Sequence, residues 1–160
     1  MKRRMAVTVA ALAVLGAVST TPATAHTRAE VTAGRFHTLP GGEALGYHVT
    51  GLAVMVRTSA HGGTTSVVAA VRGLDPNTTY PSHVHNAPCS ATPPGGGHYQ
   101  RQVGGAVDAV NEIWPTITTS AAGNGLGTAS HGDWAREEAQ SIIIHYPANT
   151  SIRLACVDLR

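Results

Sequence analysis

The chain has one phenylalanine and two cysteines, and Lys2 is its single lysine. Each shortage excludes something. With no lysine after Lys2 and the remaining arginines scattered, there is no basic stripe for nucleic acid or a membrane surface. No 20–50-residue repeat and no low-complexity tract is found, which excludes solenoids and arrays. Helical periodicity is also scarce, and only Asp133 to Gln140 is expected to be helical.

The N-terminus has the three parts of a secretory signal peptide. Lys2, Arg3 and Arg4 form a positive start. Met5 to Val18 is apolar and too short for a permanent membrane span. Ala23-Thr24-Ala25 fits a small-x-small cleavage site. Residues 1–25 are therefore expected to be a signal, which implies a secreted or extracytoplasmic protein without a membrane span after cleavage. Arg3-Arg4 leaves the export route open. Removing Lys2, Arg3 and Arg4 from the 11 basic residues leaves eight against nine acidic ones, a net charge of −1. The basic pI belongs to the signal. In an exported chain, Cys89 and Cys156 are expected to pair. A loop of that length adds about 4 kcal/mol in the chain-entropy model.

Residues 26–40 read as a flexible N-terminal arm, with at most a short strand near Phe36, and 41–160 as one domain. Val49 to Val56, Ser66 to Val71, Ser141 to His145 and Ile152 to Val157 carry strand patterns. Gly62-Gly63, Asp75-Pro76-Asn77, Gly123-Asn124-Gly125 and Pro147-Ala148-Asn149 supply turns between them. The expected class is all-β, an antiparallel sandwich or barrel. Asn86 to Ile113 breaks the strand pattern. It is long and rich in Gly and Pro, the kind of loop on which function sits.

Nine histidines against one phenylalanine is an odd balance for a plain core. His83 and His85 flank Val84, and on a strand their imidazoles project to one face. His98 lies in the Gly-rich loop. His145 ends the run Ser141-Ile142-Ile143-Ile144 and shares a face with Ile143. Taken alone, His-x-His is weak evidence for a metal. Four imidazoles without a thiolate suit copper, zinc, nickel or iron, and a planar nitrogen set favours Cu(II).

Four segments, in order, sharpen this expectation. They are GLDPNTTYPSHVHNAPCS, GGGHYQ, AQSIIIH and SIRLAC. Together they resemble the signature segments of the Cu,Zn superoxide dismutase family over roughly Ser66 to Leu159. The resemblance implies a Greek-key β-sandwich or barrel. It implies that His83, His85, His98 and His145 are copper ligands, with His98 the histidine that bridges to zinc in that family. It implies a Cys89–Cys156 disulfide, and Arg153 as the arginine that guides superoxide. His98 and Arg153 would then be the catalytic pair, with His98 leaving the metal on reduction and taking up a proton.

The departures are as informative. Zinc-binding members carry further histidines soon after the bridging one, yet Tyr99 to Ser130 contains none. Zinc needs about four ligands, so no zinc site is expected. His98 then needs another partner for its second ring nitrogen. Glu112 and Asp108 are the acidic candidates, and Glu112 is favoured. Only Tyr146 to Ile152 separates His145 from Arg153, where zinc-binding members have a long charged loop. Both losses resemble the copper-only branch. His26, His37, His48, His61 and His131 read as ordinary histidines, although His26, as a new N-terminus, offers its amine and ring to a second, weaker copper ion. The expected function is an exported superoxide dismutase with superoxide as its small-molecule substrate. The alternative is a copper storage or delivery protein with the same site. Monomer or dimer is left open.

Overall fold

The computed structural model describes residues 27–159. The expected signal peptide and His26 lie outside the described residues. Among these residues nine strands form one antiparallel sheet that curls into a nearly closed barrel. They are β1 (Ala29–Thr38), β2 (Thr50–Thr58), β3 (Thr64–Arg72), β4 (Thr79–Tyr80), β5 (Ser82–His85), β6 (Ile117–Thr119), β7 (Gly125–His131), β8 (Ser141–Tyr146) and β9 (Asn149–Asp158). Their order is β4-β6-β7-β3-β2-β1-β9-β8-β5. The two edge strands, β4 and β5, follow each other in the chain across Pro81, which cannot donate to a ladder and so suits the corner. The all-β expectation agrees with this architecture.

The barrel interior holds the main core. Met55, Val67, Ala69, Val71, Tyr80, Val84, Ile117, Ile142, Ile144 and Leu154 belong to one buried cluster. These residues alternate along their strands with outward side chains, as a pleated sheet dictates. Val49 to Val56 and Ser66 to Val71 were legible because of this alternation.

Three elements differ from expectation. The flexible arm assigned to residues 26–40 is in large part β1, paired to β2 from Ala29 to Phe36 and to β9 at His37 and Thr38. Its less exposed side carries Glu30, Thr32 and Gly34, so no apolar alternation marks it as a strand. Gly34 is required there: a Cβ would stand 1.9 Å from the Asp158 carbonyl oxygen. β7 was missed for a related reason. Its buried positions are Gly125 and Gly127, small because Ile117 and the Pro115 backbone press against them.

The third is Asp133 to Gln140, which is bend and turn rather than helix. Several of its backbone donors go to other parts of the molecule. Ala135 N–H donates to Thr65 Oγ1 and Arg136 N–H to Tyr99 Oη. Among the described residues the α-helix is instead the single turn Pro40–Glu43.

The Asn86–Ile113 loop is zipped onto the free edge of β5. Val84 N–H donates to Ile113 O, Tyr99 N–H to Val84 O and Asn86 N–H to Gly97 O. Cys89 and Cys156 form a disulfide that ties the loop to β9. Around it Leu39, Cys89, Ile143 and Cys156 make a second, smaller buried cluster. Ile142 and Ile144 face the main core and Ile143 faces this second one, so β8 is buried on both faces.

Candidate metal centre

The four histidines read from the sequence come together on the loop-covered side of β5, β8 and β9. β5 supplies His83 and His85, on the face opposite Val84. β8 supplies His145, next to an irregularity in its pairing with β9. The loop supplies His98, which bridges back to His85. One ring nitrogen from each of the four lies within 4.8 Å of the other three. Imidazole–metal bonds of about 2.0–2.1 Å put opposite nitrogens about 4 Å apart. The rings therefore stand within about an ångström of closing on one ion.

Hydrogen bonds fix which nitrogens are free. His145 Nδ1 lies 2.6 Å from the Thr150 carbonyl oxygen, which can only accept. His145 Nδ1 therefore carries the hydrogen and Nε2 presents its lone pair. His98 Nδ1 lies 2.6 Å from Glu112 Oε2 and is fixed in the same sense. His85 Nε2 faces His145 Nε2 at 3.4 Å. The buried Nδ1 atoms of His83 and His85 have no hydrogen-bond partner. A buried unpaired polar atom costs about 1–3 kcal/mol. An ion between the rings would turn the facing Nε2 lone pairs of His85 and His145 from mutual repulsion into bonds, so the donor set fits a metal ion.

The electrostatics agree. Burial pushes His83 down to about 4, with further lowering from His98 and His145. Burial pushes His85 to about 2, with the same neighbours and Arg153 adding to it. His145 is lowered to about 4, chiefly by burial, against an opposing hydrogen bond to Thr150. These imidazoles stay neutral at ordinary pH, the form that ligates.

Glu112 is fully buried and acts on His98. Asp108 does not share this role. Its carboxylate accepts from Val110 N–H and Asn111 N–H and shapes its own turn. Burial alone would raise the Glu112 pKa, but hydrogen bonds from Trp114, Gln100 and His98 outweigh it and lower it. Gln100 Nε2 donates to Oε1 at 3.1 Å and Trp114 Nε1 to Oε2 at 2.9 Å. Trp114 also stands edge-on to His83, ring centroids 5.4 Å apart.

Arg153 sits directly across the β8–β9 ladder from His145. Its guanidinium donates to the Pro94 and Gly96 carbonyls and so anchors the loop. Burial lowers its pKa. Gly95, between those carbonyls, packs on Ile143 and His85, where a Cβ would stand 2.8 Å from Ile143 Cγ1. His145 and Arg153 are joined by a tight hairpin, with Tyr146 paired to Asn149.

His37, His48 and His131 lie outside the cluster. His131 Nδ1 stands 4.0 Å from Asp133 Oδ1. Sequence reading missed Gln100, Trp114 and the Thr150 carbonyl. A backbone acceptor leaves no mark in a sequence. Trp114 left a weak one: it is one of two tryptophans and falls in the ligand-bearing loop region. Compared with known proteins, the chain matches no family model and no curated protein.

Among the described residues, no helix is long and apolar enough to cross a membrane. The disulfide is of a kind found in oxidising compartments.

Proposed function

We propose that this protein is an exported, copper-dependent superoxide dismutase that works without zinc. The observation that carries the proposal is the convergence of four imidazoles within 4.8 Å, with no thiolate or carboxylate among the ligand atoms. An all-nitrogen set of this kind suits copper and tolerates both of its common oxidation states. Copper, when bound, would supply one-electron exchange with superoxide, giving oxygen from one anion and, with two protons from water, hydrogen peroxide from another.

The residues of the chain have distinct parts in this reading. His83, His85 and His145 hold the ion as neutral donors. The His98 side chain is 30% exposed over a Glu112 that is 1% exposed. Glu112 keeps the His98 ring oriented and its Nδ1 hydrogen in place, so any proton gained or given at His98 is handled at Nε2. Arg153 keeps a positive charge beside His145 for the incoming anion. Its two carbonyl contacts leave other guanidinium hydrogens available, since the group has five. The short hairpin between His145 and Arg153 brings no charged loop over the site, which supports a shallow, open centre. The ordered motifs, the disulfide and the N-terminal signal support export and the copper-only branch of the family.

Copper storage or delivery would use the same four imidazoles. Arg153, held beside His145, favours an anionic substrate over storage. Superoxide consumption by the copper-loaded protein decides between them. Fast turnover that falls in Arg153→Ala with copper retained, and becomes less sensitive to salt, is the expected result. Stoichiometric copper without turnover would replace the enzyme reading with the carrier.

A further inference from the structure

Trp114 is linked to two of the four histidines, to His83 directly and to His98 through Glu112. Its indole N–H donates to Glu112 Oε2 at 2.9 Å, and the same oxygen faces His98 Nδ1 at 2.6 Å. Its ring meets His83 edge-on, with centroids 5.4 Å apart and planes at 62°. His83 and His98 in turn lie against each other, tilted at 37°, with centroids 4.2 Å apart. The indole, the carboxylate and the two imidazoles thus form a closed ring of contacts on one side of the cluster.

The backbone that presents Trp114 is held at both ends. Ile113 is buried, and its carbonyl accepts from Val84 N–H, between His83 and His85. Pro115 fixes its own φ. Its carbonyl lies so close to β7 that a Cβ on Gly127 would stand 2.2 Å away. The close approach of Pro115 to Gly127 and the edge of β5 therefore set where the indole goes. That placement leaves Glu112 little freedom. A buried carboxylate must keep its donors, and those here are Trp114 and His98 on one oxygen and Gln100 on the other.

We propose that Trp114 is a positioning residue of the metal centre: its N–H holds Glu112 on His98 while its ring walls His83, so that one side chain aligns an imidazole from β5 with one from the loop. The proposal rests on the metal-centre reading above and adds a residue to it. Loss of the N–H leaves Glu112 Oε2 held by His98 alone and loosens the carboxylate. His98 then loses its fixed orientation and copper binds more weakly. Outer groups that orient a metal-bound histidine typically change affinity by about 10–100-fold. Trp114 acts at one remove, so the effect sits at the lower end, about tenfold.

The test starts with Trp134→Phe, which leaves Trp114 as the one tryptophan of the chain. Cu(II) is added to the metal-free protein and the indole emission is followed. Quenching that saturates near one equivalent is expected. Absence of copper binding would overturn the metal-centre reading, and the role of Trp114 with it. The same chain is then made with β-(3-benzothienyl)alanine in place of tryptophan, which exchanges N–H for sulfur at nearly constant shape. A Cu(II) dissociation constant raised about tenfold and an altered Cu(II) electron paramagnetic resonance spectrum are expected. Trp114→Phe, checked for its disulfide and circular dichroism, should weaken binding in the same direction. Glu112→Gln should weaken it too, and combined with the analogue it should cost no more than Glu112→Gln alone. Unchanged affinity and spectrum without the N–H, or losses that multiply in the combination, would overturn the proposal while leaving the metal centre standing.

Discussion

The two sides of the barrel carry opposite solutions to one problem. The wall of β2, β3 and β7 is buried on one face only. Its outer surface shows Leu52, Val68 and Leu126 to solvent, at 48%, 44% and 58% exposure. The wall of β5, β8 and β9 is buried on both. There the Asn86–Ile113 loop, the disulfide and the histidines build a second layer outside the sheet. On the first wall, alternation is enough to specify the strand. On the second, the outward residues have been given a task, and they are Ile143, Cys156, His83, His85 and His145. A strand that is buried on both faces while carrying polar side chains marks where chemistry is housed.

The disulfide should produce the largest difference between the walls. Cys89→Ser with Cys156→Ser removes a closure of 67 residues. Denaturant unfolding should show a loss of about 4 kcal/mol. Amide exchange should speed up in residues 86–97 before it does in β3. Equal acceleration in both places would mean that the loop is not a separate layer. Ile143→Ala comes next. It opens a cavity in the small cluster under the loop, and a cost of about 3 kcal/mol is expected in the same assay. A cost below about 1 kcal/mol would show that this cluster does not pack as a second core.

Glu112→Gln should leave the fold intact and weaken copper by about tenfold or more, read by competition with a chelator. Wild-type affinity would remove Glu112 from the centre.

Acid should act on the histidine side. His83, His85 and His145 have folded pKa values pushed below the ordinary 6.5, to about 4, 2 and 4. Below pH 6.5 the unfolded chain therefore binds protons that the folded chain refuses. Stability of the metal-free protein is complete above about pH 6.5 and falls as pH drops toward 4. Denaturation midpoints at pH 7 and pH 5 check this, and a higher midpoint at pH 5 would contradict it. The smallest effect belongs to the outer surface of the first wall. Val68→Ala should change stability by less than about 0.5 kcal/mol, and a larger loss would indicate that this surface is covered.

The same contrast explains what could be read from the sequence. β2, β3, β8 and the core part of β9 were legible because their buried positions are apolar. β1 and β7 were not, since Glu30, Thr32 and Gly34 line the half-buried side of β1 and Gly125 and Gly127 take the buried positions of β7. The strand pairing that places β1 beside β9 is a long-range fact that no local pattern encodes. For the site, residue type carried far. His83 and His85 two apart, His98 among glycines and His145 at the end of an apolar run named the cluster. Glu112 could be preferred over Asp108, but its donors Trp114 and Gln100 could not be found. They depend on how the loop folds back on β5. The helix expected at Asp133 to Gln140 failed because Arg136 N–H goes to Tyr99 and Gln140 N–H to the His85 carbonyl instead of to the helix.

Metal content of the purified protein, measured by mass spectrometry, tests the central claim most directly, with His85→Ala purified in parallel. About one copper per chain, no zinc, and loss of that copper in His85→Ala is the predicted result. A protein that folds with its disulfide but takes up no copper, or that holds stoichiometric zinc beside it, would contradict the account.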